Sequence, residues 1–156
     1  MTLTITITKN EKGNDDDDGN DDVNDNDNEK RKGMKTSRNF RNYKVWQDAV
    51  VFATYIYKLT ATLPYFEKKG LCDQLQRAVV SISSNIAEGA AKPSDVEFVK
   101  FLYISLGSAY EVETQLLIAK NIGYVSEEQH ADLLNRIVEI EKQLSGLINS
   151  IKSAPS

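Results

Sequence analysis

The sequence has a single cysteine, Cys72, and a single histidine, His130, among its 156 residues. A lone cysteine cannot close an intrachain disulfide, and neither residue can build a thiolate or histidine cluster for a metal within one chain. No apolar run approaches the ~20 residues of a membrane-spanning helix. The N-terminus lacks a basic region followed by an apolar core, so no secretory signal is indicated. These absences predict a cytoplasmic protein without a membrane span.

Apolar residues are also scarce at the N-terminal end. Residues 1–33 hold ten acidic side chains against five basic ones, and most of this stretch is Asp, Asn, Gly and Lys. Such a composition buries too little apolar surface to offset the entropy lost on ordering, so we predict a disordered tail over 1–39. Thirteen acidic and fourteen basic residues follow from Met34 onward, so the net charge of −4 belongs to the tail. Met34 is itself a candidate physiological start.

A calcium loop is the sharpest alternative interpretation of the acidic run. Four residues fit positions one, three, five and six of an EF-hand loop, with Asp25 at twelve: Asn14, Asp16, Asp18 and Gly19. Position one is not Asp, position twelve lacks the longer bidentate Glu, and no amphipathic helices flank the loop. We therefore expect no specific calcium site.

Four helices are predicted over residues 40–153, and the first two have distinct apolar patterns. The first helix begins near Tyr43 and ends before Pro64, because a residue that precedes proline is driven out of helical geometry. Its first apolar stripe consists of Trp46, Ala49, Val50, Ala53, Tyr57 and Thr60. Its second consists of Val45, Phe52, Tyr55 and Leu59. The second helix covers about 71–88 and ends at Gly89; its core residues are Leu75, Ala78, Val79, Ile82 and Ile86.

Capping boxes predict the starts of the third and fourth helices. Ser94 precedes Glu97 and Ser126 precedes Gln129 by three residues. The third helix, which stops before Gly123, has a core stripe of Phe98, Phe101, Leu102, Ser105, Ala109, Val112, Leu116 and Ala119. Beside it lies a second stripe of Val99, Tyr103, Leu106, Tyr110 and Leu117. The fourth helix has a heptad-like seam of Leu133, Ile137, Ile140, Leu144, Leu147 and Ile151.

The short connections predict an all-α, antiparallel up-down-up-down four-helix bundle, because short loops place successive helices antiparallel. The second stripes exceed what one bundle can bury, and an exposed apolar patch usually marks an interface. We therefore predict an oligomer interface formed by Phe52, Tyr55, Leu59, Val99, Tyr103, Leu106, Tyr110 and Leu117.

No catalytic site is predicted. A di-iron bundle could use Glu88, Glu111 and Glu113 as inward carboxylates. It also needs Glu-x-x-His motifs, whereas Glu88 and Glu111 are followed three residues later by Ala91 and Thr114. The serines of the second helix have no histidine near them in sequence that could activate a nucleophile. We expect neither an enzyme nor a bound cofactor.

Small and polar residues on the second and third helices predict close helix packing instead. Serine and glycine let backbones approach, and buried asparagine or glutamate can pair across a contact and fix its register. The residues assigned this structural role are Ser81, Ser84, Asn85, Glu88, Ser108 and Glu111.

The same polar run carries a resemblance to a known family. The motifs that occur together are Trp46-Gln47, Ile56-Tyr57, Gly70-Leu71, Gln74-Leu75-Gln76-Arg77-Ala78, Ser81-Ile82, Ser84-Asn85-Ile86-Ala87-Glu88-Gly89, Glu97-Phe98, Phe101-Leu102, Gly107-Ser108 and Glu111. From about Phe40 to Ile151 the sequence resembles four-helix bundle proteins first noted as open reading frames in intervening sequences of bacterial large-subunit ribosomal RNA genes. The resemblance implies a homopentamer, with other copies of the chain as partners.

Two functions follow from these observations. The first is a non-catalytic homo-oligomeric interaction module of unknown cellular role. The second is an RNA- or DNA-binding accessory, because a distant relative of the family, the accessory variability protein of diversity-generating retroelements, is a basic pentamer that binds nucleic acid and a reverse transcriptase. Symmetry-related Arg77, Lys92 and Lys100 would then contact phosphates. The bundle is near neutral, however, and Ala90-Ala91-Lys92 stands where relatives often carry arginine, so ordinary solvated surface is the alternative for these three residues.

Overall fold

Four α-helices make up most of residues 38–154, the part of the chain that the computed structural model describes, and that part contains no β-strand. The helices are α1 (Lys44–Thr60), α2 (Leu71–Ala90), α3 (Asp95–Asn121) and α4 (Glu127–Lys152). Short 3-10 turns at Phe40–Asn42 and Tyr65–Lys69 precede α1 and α2. Successive helices pack together and α4 returns beside α1, which confirms the predicted all-α four-helix bundle. Within residues 38–154, no helix is both long and apolar enough to cross a membrane.

Local chemistry explains where the long helices begin and end. The Ser94 hydroxyl accepts a hydrogen bond from the backbone N–H of Glu97 at the start of α3. Ser126 and Gln129 form a complete capping box at the start of α4. Gly123 has a φ of 81° just after α3, a left-handed conformation that glycine adopts without steric cost. The predicted starts of α3 and α4 and the stop after α3 are therefore confirmed.

The core is one continuous apolar cluster to which all four helices contribute. Its largest fully enclosed side chains include Ile56, Leu75, Ile82, Ile86, Phe98, Leu102, Leu116, Ile137, Ile140 and Leu144. All five core residues predicted on α2 are buried. On α4 the seam ends at Ile148 rather than at Leu147 and Ile151, which are half-buried.

On α1 the prediction of which residues face inward was partly wrong. The buried residues of this helix are Val45, Ala49, Phe52, Ile56, Leu59 and Thr60. Val50 and Tyr57, members of the first apolar stripe, are 41% and 47% exposed. Phe52 and Leu59, predicted at an outward interface, are only 2% and 8% exposed and belong to the bundle's own core. Apolar residues surround most of α1, so spacing alone could not choose the inward side.

The folded unit also reaches beyond its predicted N-terminal boundary. Arg38, which composition assigned to the tail, donates a hydrogen bond to the Lys92 carbonyl at 2.8 Å and forms an ion pair with Asp95. Its guanidinium carbon lies 4.9 Å from the centre of the Phe98 ring. Residues 38 and 39 are therefore part of the bundle. The predicted disorder of the preceding tail and the calcium loop considered above lie outside the described residues.

Candidate functional site

Hydroxyl and amide groups connect α2 and α3 along their contact. The hydroxyl oxygens of Ser81 and Ser108 are 2.8 Å apart, and the Asn85 amide donates to the Ser81 hydroxyl at 2.9 Å. The buried Ser105 hydroxyl donates to the Ile82 carbonyl across the same contact at 2.8 Å. Each of these bonds satisfies a polar group that would otherwise be costly to bury, and together they fix the register of the two helices.

The C-terminal end of α2 approaches α3 so closely that only glycine fits. A Cβ atom built on Gly89 would lie 2.5 Å from Cβ of Phe101 and 2.9 Å from Cδ2 of Phe98. Real Cβ atoms do not approach other heavy atoms at such distances, so a larger residue would push the helices apart. Gly89, the glycine of the Glu-Gly motif, therefore has a packing role.

The other polar residues predicted at this contact lie outside it. Ser84, Glu88 and Glu111 are exposed. Glu88 pairs with Lys92, which lies in the turn just after α2, with 3.4 Å between Nζ and Oε1. Glu111 accepts a hydrogen bond from the Gln115 amide of its own helix at 3.0 Å. Neither interaction joins α2 to α3.

Large apolar side chains follow the outer side of α3 at regular intervals. Tyr103, Tyr110 and Leu117 are 49%, 51% and 46% exposed and are spaced seven residues apart. Val99 and Leu106 are half-buried in the same line. A seven-residue spacing returns to nearly the same side of a helix after two turns, so these five residues form one continuous strip. We call it the α3 stripe.

The α3 stripe lies on the side of α3 that borders α4. Lys152, near the end of α4, has its ammonium nitrogen 6.0 Å from the centre of the Tyr103 ring. Leu134 and Val138 of α4 are half-buried and lie seven and three residues before Glu141, which meets Glu113 of α3. Because these spacings keep side chains on one side of a helix, both residues face α3. We call the α3 stripe together with Leu134 and Val138 the α3–α4 face.

Tyr55 lies elsewhere, in a groove between α1 and α4. The guanidinium carbon of Arg136 is 4.4 Å from the centre of its ring, a cation–π contact. The central part of this groove encloses about 350 Å³ and is lined by Tyr55, Phe52, Arg136 and Ile140, among others. It continues along the helices past Val45 and Leu147 at one end and past Leu59 and Leu133 at the other. We call it the α1–α4 groove.

Two carboxyl groups meet in the middle of the α3–α4 face. Burial and the neighbouring carboxyl of Glu113 raise the pKa of Glu141 to about 7. One Glu141 carboxyl oxygen, Oε1, is fully enclosed and has no hydrogen-bond partner. Carboxylates have no hydrogen to donate, so two ionised groups here repel each other and leave this oxygen unsatisfied.

The three basic residues considered for phosphate binding do not form one patch. Arg77 pairs with Asp73 at 3.5 Å, and Lys92 pairs with Glu88. Arg77 lies in the first half of α2, whereas Lys92 lies in the turn beyond its C-terminal end. Lys100 is exposed near the start of α3. Arg77 and Lys92 each form an ion pair with an acid four residues earlier in the chain.

The chain's lone histidine and cysteine lie inside the bundle. His130 is buried near the start of α4 and Cys72 near the start of α2. Burial raises the pKa of the Cys72 thiol, and its sulfur lies 3.6 Å from the Thr60 carbonyl oxygen. Nowhere in residues 38–154 do three or more His, Cys, Asp or Glu side chains gather as they would around a metal ion.

The family model described as 23S rRNA-intervening sequence protein matches residues 41–146, from the start of the bundle to the middle of α4. The chain belongs to this family. This membership confirms the resemblance carried by the Trp46-Gln47 and Ser84 to Gly89 motifs.

The fold of this intervening-sequence family protein is similar to that of a solved relative. The crystal structure of a protein with unknown function from the S23 ribosomal protein family of Bacteroides thetaiotaomicron VPI-5482 superimposes with a TM-score of 0.62 and 31% sequence identity. The match covers 67% of this chain and 97% of that chain. A search of curated proteins finds no match.

The carboxyl pair is the feature that sequence reasoning missed. Glu113 was considered only as an inward metal ligand, and Glu141 was not singled out. The available signal was that Glu141 directly follows Ile140 in the apolar seam of α4, so it borders the core without belonging to it. Its partner on another helix becomes visible only when α3 and α4 are aligned in space.

Proposed function

We propose that this protein is a non-catalytic helical-bundle module that self-associates through the α3–α4 face, and that five copies form a ring. The observation that carries the proposal is the exposure of Tyr103, Tyr110 and Leu117 along one line of α3. About half of each side chain is already buried, so covering the exposed half contributes about 1 kcal/mol per residue. A contiguous apolar strip of this kind usually marks a contact with another protein.

The α1–α4 groove is the surface that we propose receives the α3–α4 face of the next copy. A five-membered ring requires contact between two different surfaces, because identical surfaces pair only as dimers. The α3 stripe from Tyr103 to Leu117 and the α1 wall of the groove from Val45 to Leu59 each cover fourteen residue steps, or about 21 Å. The lengths match. Phe52 and Leu59, which belong to the bundle's own core, form the floor of this groove.

The relative directions of these two surfaces also support a closed ring. The α3–α4 face and the α1–α4 groove lie on adjacent sides of a four-sided bundle, which face about 90° apart. Surfaces about 90° apart close a ring of four, and those about 108° apart close a ring of five. The directions are therefore compatible with a closed ring of four or five copies, and the number five comes from the resemblance to the family.

The proposal of a non-catalytic protein is supported by the positions of the serine and histidine side chains that could have formed a nucleophile and its base. The Ser81 hydroxyl is held between Ser108 and Asn85, and the histidine is enclosed at a different place in the bundle. A serine nucleophile needs an adjacent base within hydrogen-bonding distance. The described contacts of Ser81 supply none.

The proposal is tested by sedimentation velocity on the full-length chain at micromolar concentration. We expect an oligomer for the native sequence and a monomer for Tyr110→Glu, because an ionised carboxylate on the stripe cannot be buried without a partner. Tyr65→Glu is the matched control, since Tyr65 is 80% exposed on the turn between α1 and α2. Circular dichroism should show equal helix content in all three proteins. A native monomer, or a Tyr110→Glu variant that assembles normally, would contradict the proposal.

Nucleic-acid binding is the alternative proposal, and its support in the described residues is Lys100, an exposed cation whose copies would repeat around a ring. Phosphate contacts make affinity fall steeply with salt. Filter binding to ribosomal RNA fragments over a salt series tests this alternative, with Lys100→Gln as the variant and Lys142→Gln, which removes an exposed charge from α4, as its control. Equal binding by the two variants, or no binding at low salt, would rule out the alternative.

A further inference from the structure

We propose that pH controls self-association through the Glu113 and Glu141 carboxyl pair at the centre of the α3–α4 face. The inference rests on the proposed function, since it concerns regulation of the same surface. The pair acts as a proton-dependent switch. The α3–α4 face can bind another copy when the pair holds a proton, and binding is weakened when both carboxyls are ionised.

The first support is the position of the pair within the apolar surface. Glu113 lies three residues after Tyr110 and four before Leu117, so it sits between two exposed members of the α3 stripe. Glu141 meets it from α4, three residues after Val138. A neighbouring copy that covers the stripe must therefore also cover the carboxyl pair.

The second support is the enclosed Oε1 atom of Glu141, which has no donor. A proton held between the two carboxyls would turn one of them into a donor and satisfy the other. Neighbouring carboxylates that share one site commonly retain a proton for this reason. The geometry therefore favours the singly protonated pair even before a second copy arrives.

The third support is the absence of a compensating cation in the described part of the chain. None of the ion pairs in residues 38–154 includes Glu113 or Glu141. The basic residues of α3 and α4 near this side are engaged elsewhere or exposed. Lys120 pairs with Glu127 at 2.8 Å, Lys152 lies beside Tyr103, and Lys142 is exposed.

The charged groups of the other two helices also lie elsewhere. On α1, Asp48 pairs with Lys44 and accepts from Gln143 on the opposite side of α4. On α2, Asp73 and Arg77 pair with each other, and Glu88 pairs with Lys92 in the turn that follows the helix. The repulsion within the carboxyl pair is therefore not offset by a neighbouring charge.

The direction of the pH effect follows from burial. In the single bundle the pKa of Glu141 is already about 7, raised first by burial and then by Glu113. A second copy would remove more water from the pair and raise this pKa further, so assembly would take up a proton. Self-association is then strongest below about pH 7 and weakens as the pH rises above it. The association constant changes by at most about tenfold per pH unit for each proton taken up.

The experiment measures the protein concentration at the assembly midpoint of the full-length chain at pH 6 and pH 8.5, by sedimentation velocity. We expect this concentration to rise at least about tenfold at pH 8.5 for the native chain. Glu141→Gln should assemble equally well at both pH values, because its amide stays neutral. Glu113→Gln should move the pH dependence to lower pH, since it removes the like charge.

Glu128→Gln is the matched control, because Glu128 is an exposed glutamate in the first turn of the same helix and is absent from the linings of the α1–α4 groove. It should retain the native pH dependence. His130 is present in every variant, so its contribution is common to all of them. An oligomer with the same midpoint at both pH values, or a Glu141→Gln variant with the native dependence, overturns the switch but leaves the proposed function standing. A monomer at both pH values in every variant overturns both.

Discussion

The two sides of α3 differ in how completely their polar groups are satisfied. Toward α2, the hydroxyls of Ser81 and Ser108 bond to each other and Ser105 bonds to a backbone carbonyl. Toward α4, the stripe leaves aromatic rings in water and Glu141 leaves a carboxyl oxygen without a donor. Except for Gln115, a buried residue seven positions after Ser108 whose amide oxygen also has no partner, the first side has the features of a completed contact within one chain. The second has those of a surface that needs a proton, a partner or both.

The largest expected effect comes from disrupting the contact between α2 and α3. Gly89→Val places a branched side chain where even a Cβ atom would lie 2.5 Å from Phe101. We expect the free energy of unfolding to fall by about 3 kcal/mol, measured by urea denaturation. Gly107→Val is the control, because Gly107 on α3 has open space around it. A similar loss in both variants would mean that helix propensity, and not the close approach, determines the effect.

A smaller effect is expected from the hydroxyl pair. Ser81→Ala and Ser108→Ala should each lower the free energy of unfolding by about 1–2 kcal/mol, because each removes the bond between the two hydroxyls and one further bond, from Asn85 to Ser81 or from Ser108 to the Ile104 carbonyl. The double variant should cost less than the sum of the two, since removing both partners leaves fewer groups unsatisfied. Strict additivity in this cycle would show that the bond between the two hydroxyls does not contribute to the contact.

The smallest expected effect concerns the carboxyl pair on the side of α3 that faces α4. The raised pKa of Glu141 means that the unfolded chain releases this proton near pH 4.5, whereas the folded bundle keeps it to about pH 7. The contribution of Glu141 to the free energy of unfolding is therefore greatest below about pH 4.5. It falls between about pH 4.5 and about pH 7 and stays constant at higher pH. After discounting for solvent screening the loss should be about 1 kcal/mol.

That pH effect should be measured in a Tyr103→Glu background, which disrupts the α3 stripe ten residues away from Glu113 and keeps assembly from contributing. Adding Glu141→Gln should stabilise the bundle at pH 8 relative to its parent and remove this part of the pH dependence. Adding Glu128→Gln should leave the dependence in place. A Glu141→Gln variant that is less stable than its parent at pH 8 would show that the carboxylate is satisfied in the fold.

Much of the fold could be predicted from short-range signals. The Ser94 and Ser126 caps and the glycine after α3 act within one or two turns, so the sequence alone contains the information that determines them. The inward side of α1 could not be predicted in the same way. Phe52 and Val50 are equally apolar, and only the directions of α2 and α4 decide which of them is buried.

The candidate site was predictable in its apolar part and not in its polar part. The seven-residue repeat of Tyr103, Tyr110 and Leu117 is a property of one helix and was visible in the sequence. The meeting of Glu113 and Glu141 joins residues of two helices, and no local pattern encodes that pairing. The contacts of Arg38 were missed for a related reason, because composition describes its neighbours in sequence and not its partners in space.

The chain has one tryptophan, and its location gives the protein a built-in optical reporter. Trp46 packs edge-to-face on Phe40 at the start of α1, with 5.0 Å between ring centres. It is absent from the linings of the α1–α4 groove and from the α3–α4 face. Its emission should therefore follow unfolding of the bundle and remain constant during assembly, while tyrosine emission from the α3 stripe changes. Excitation at two wavelengths would then separate loss of fold from loss of partners in a single cuvette.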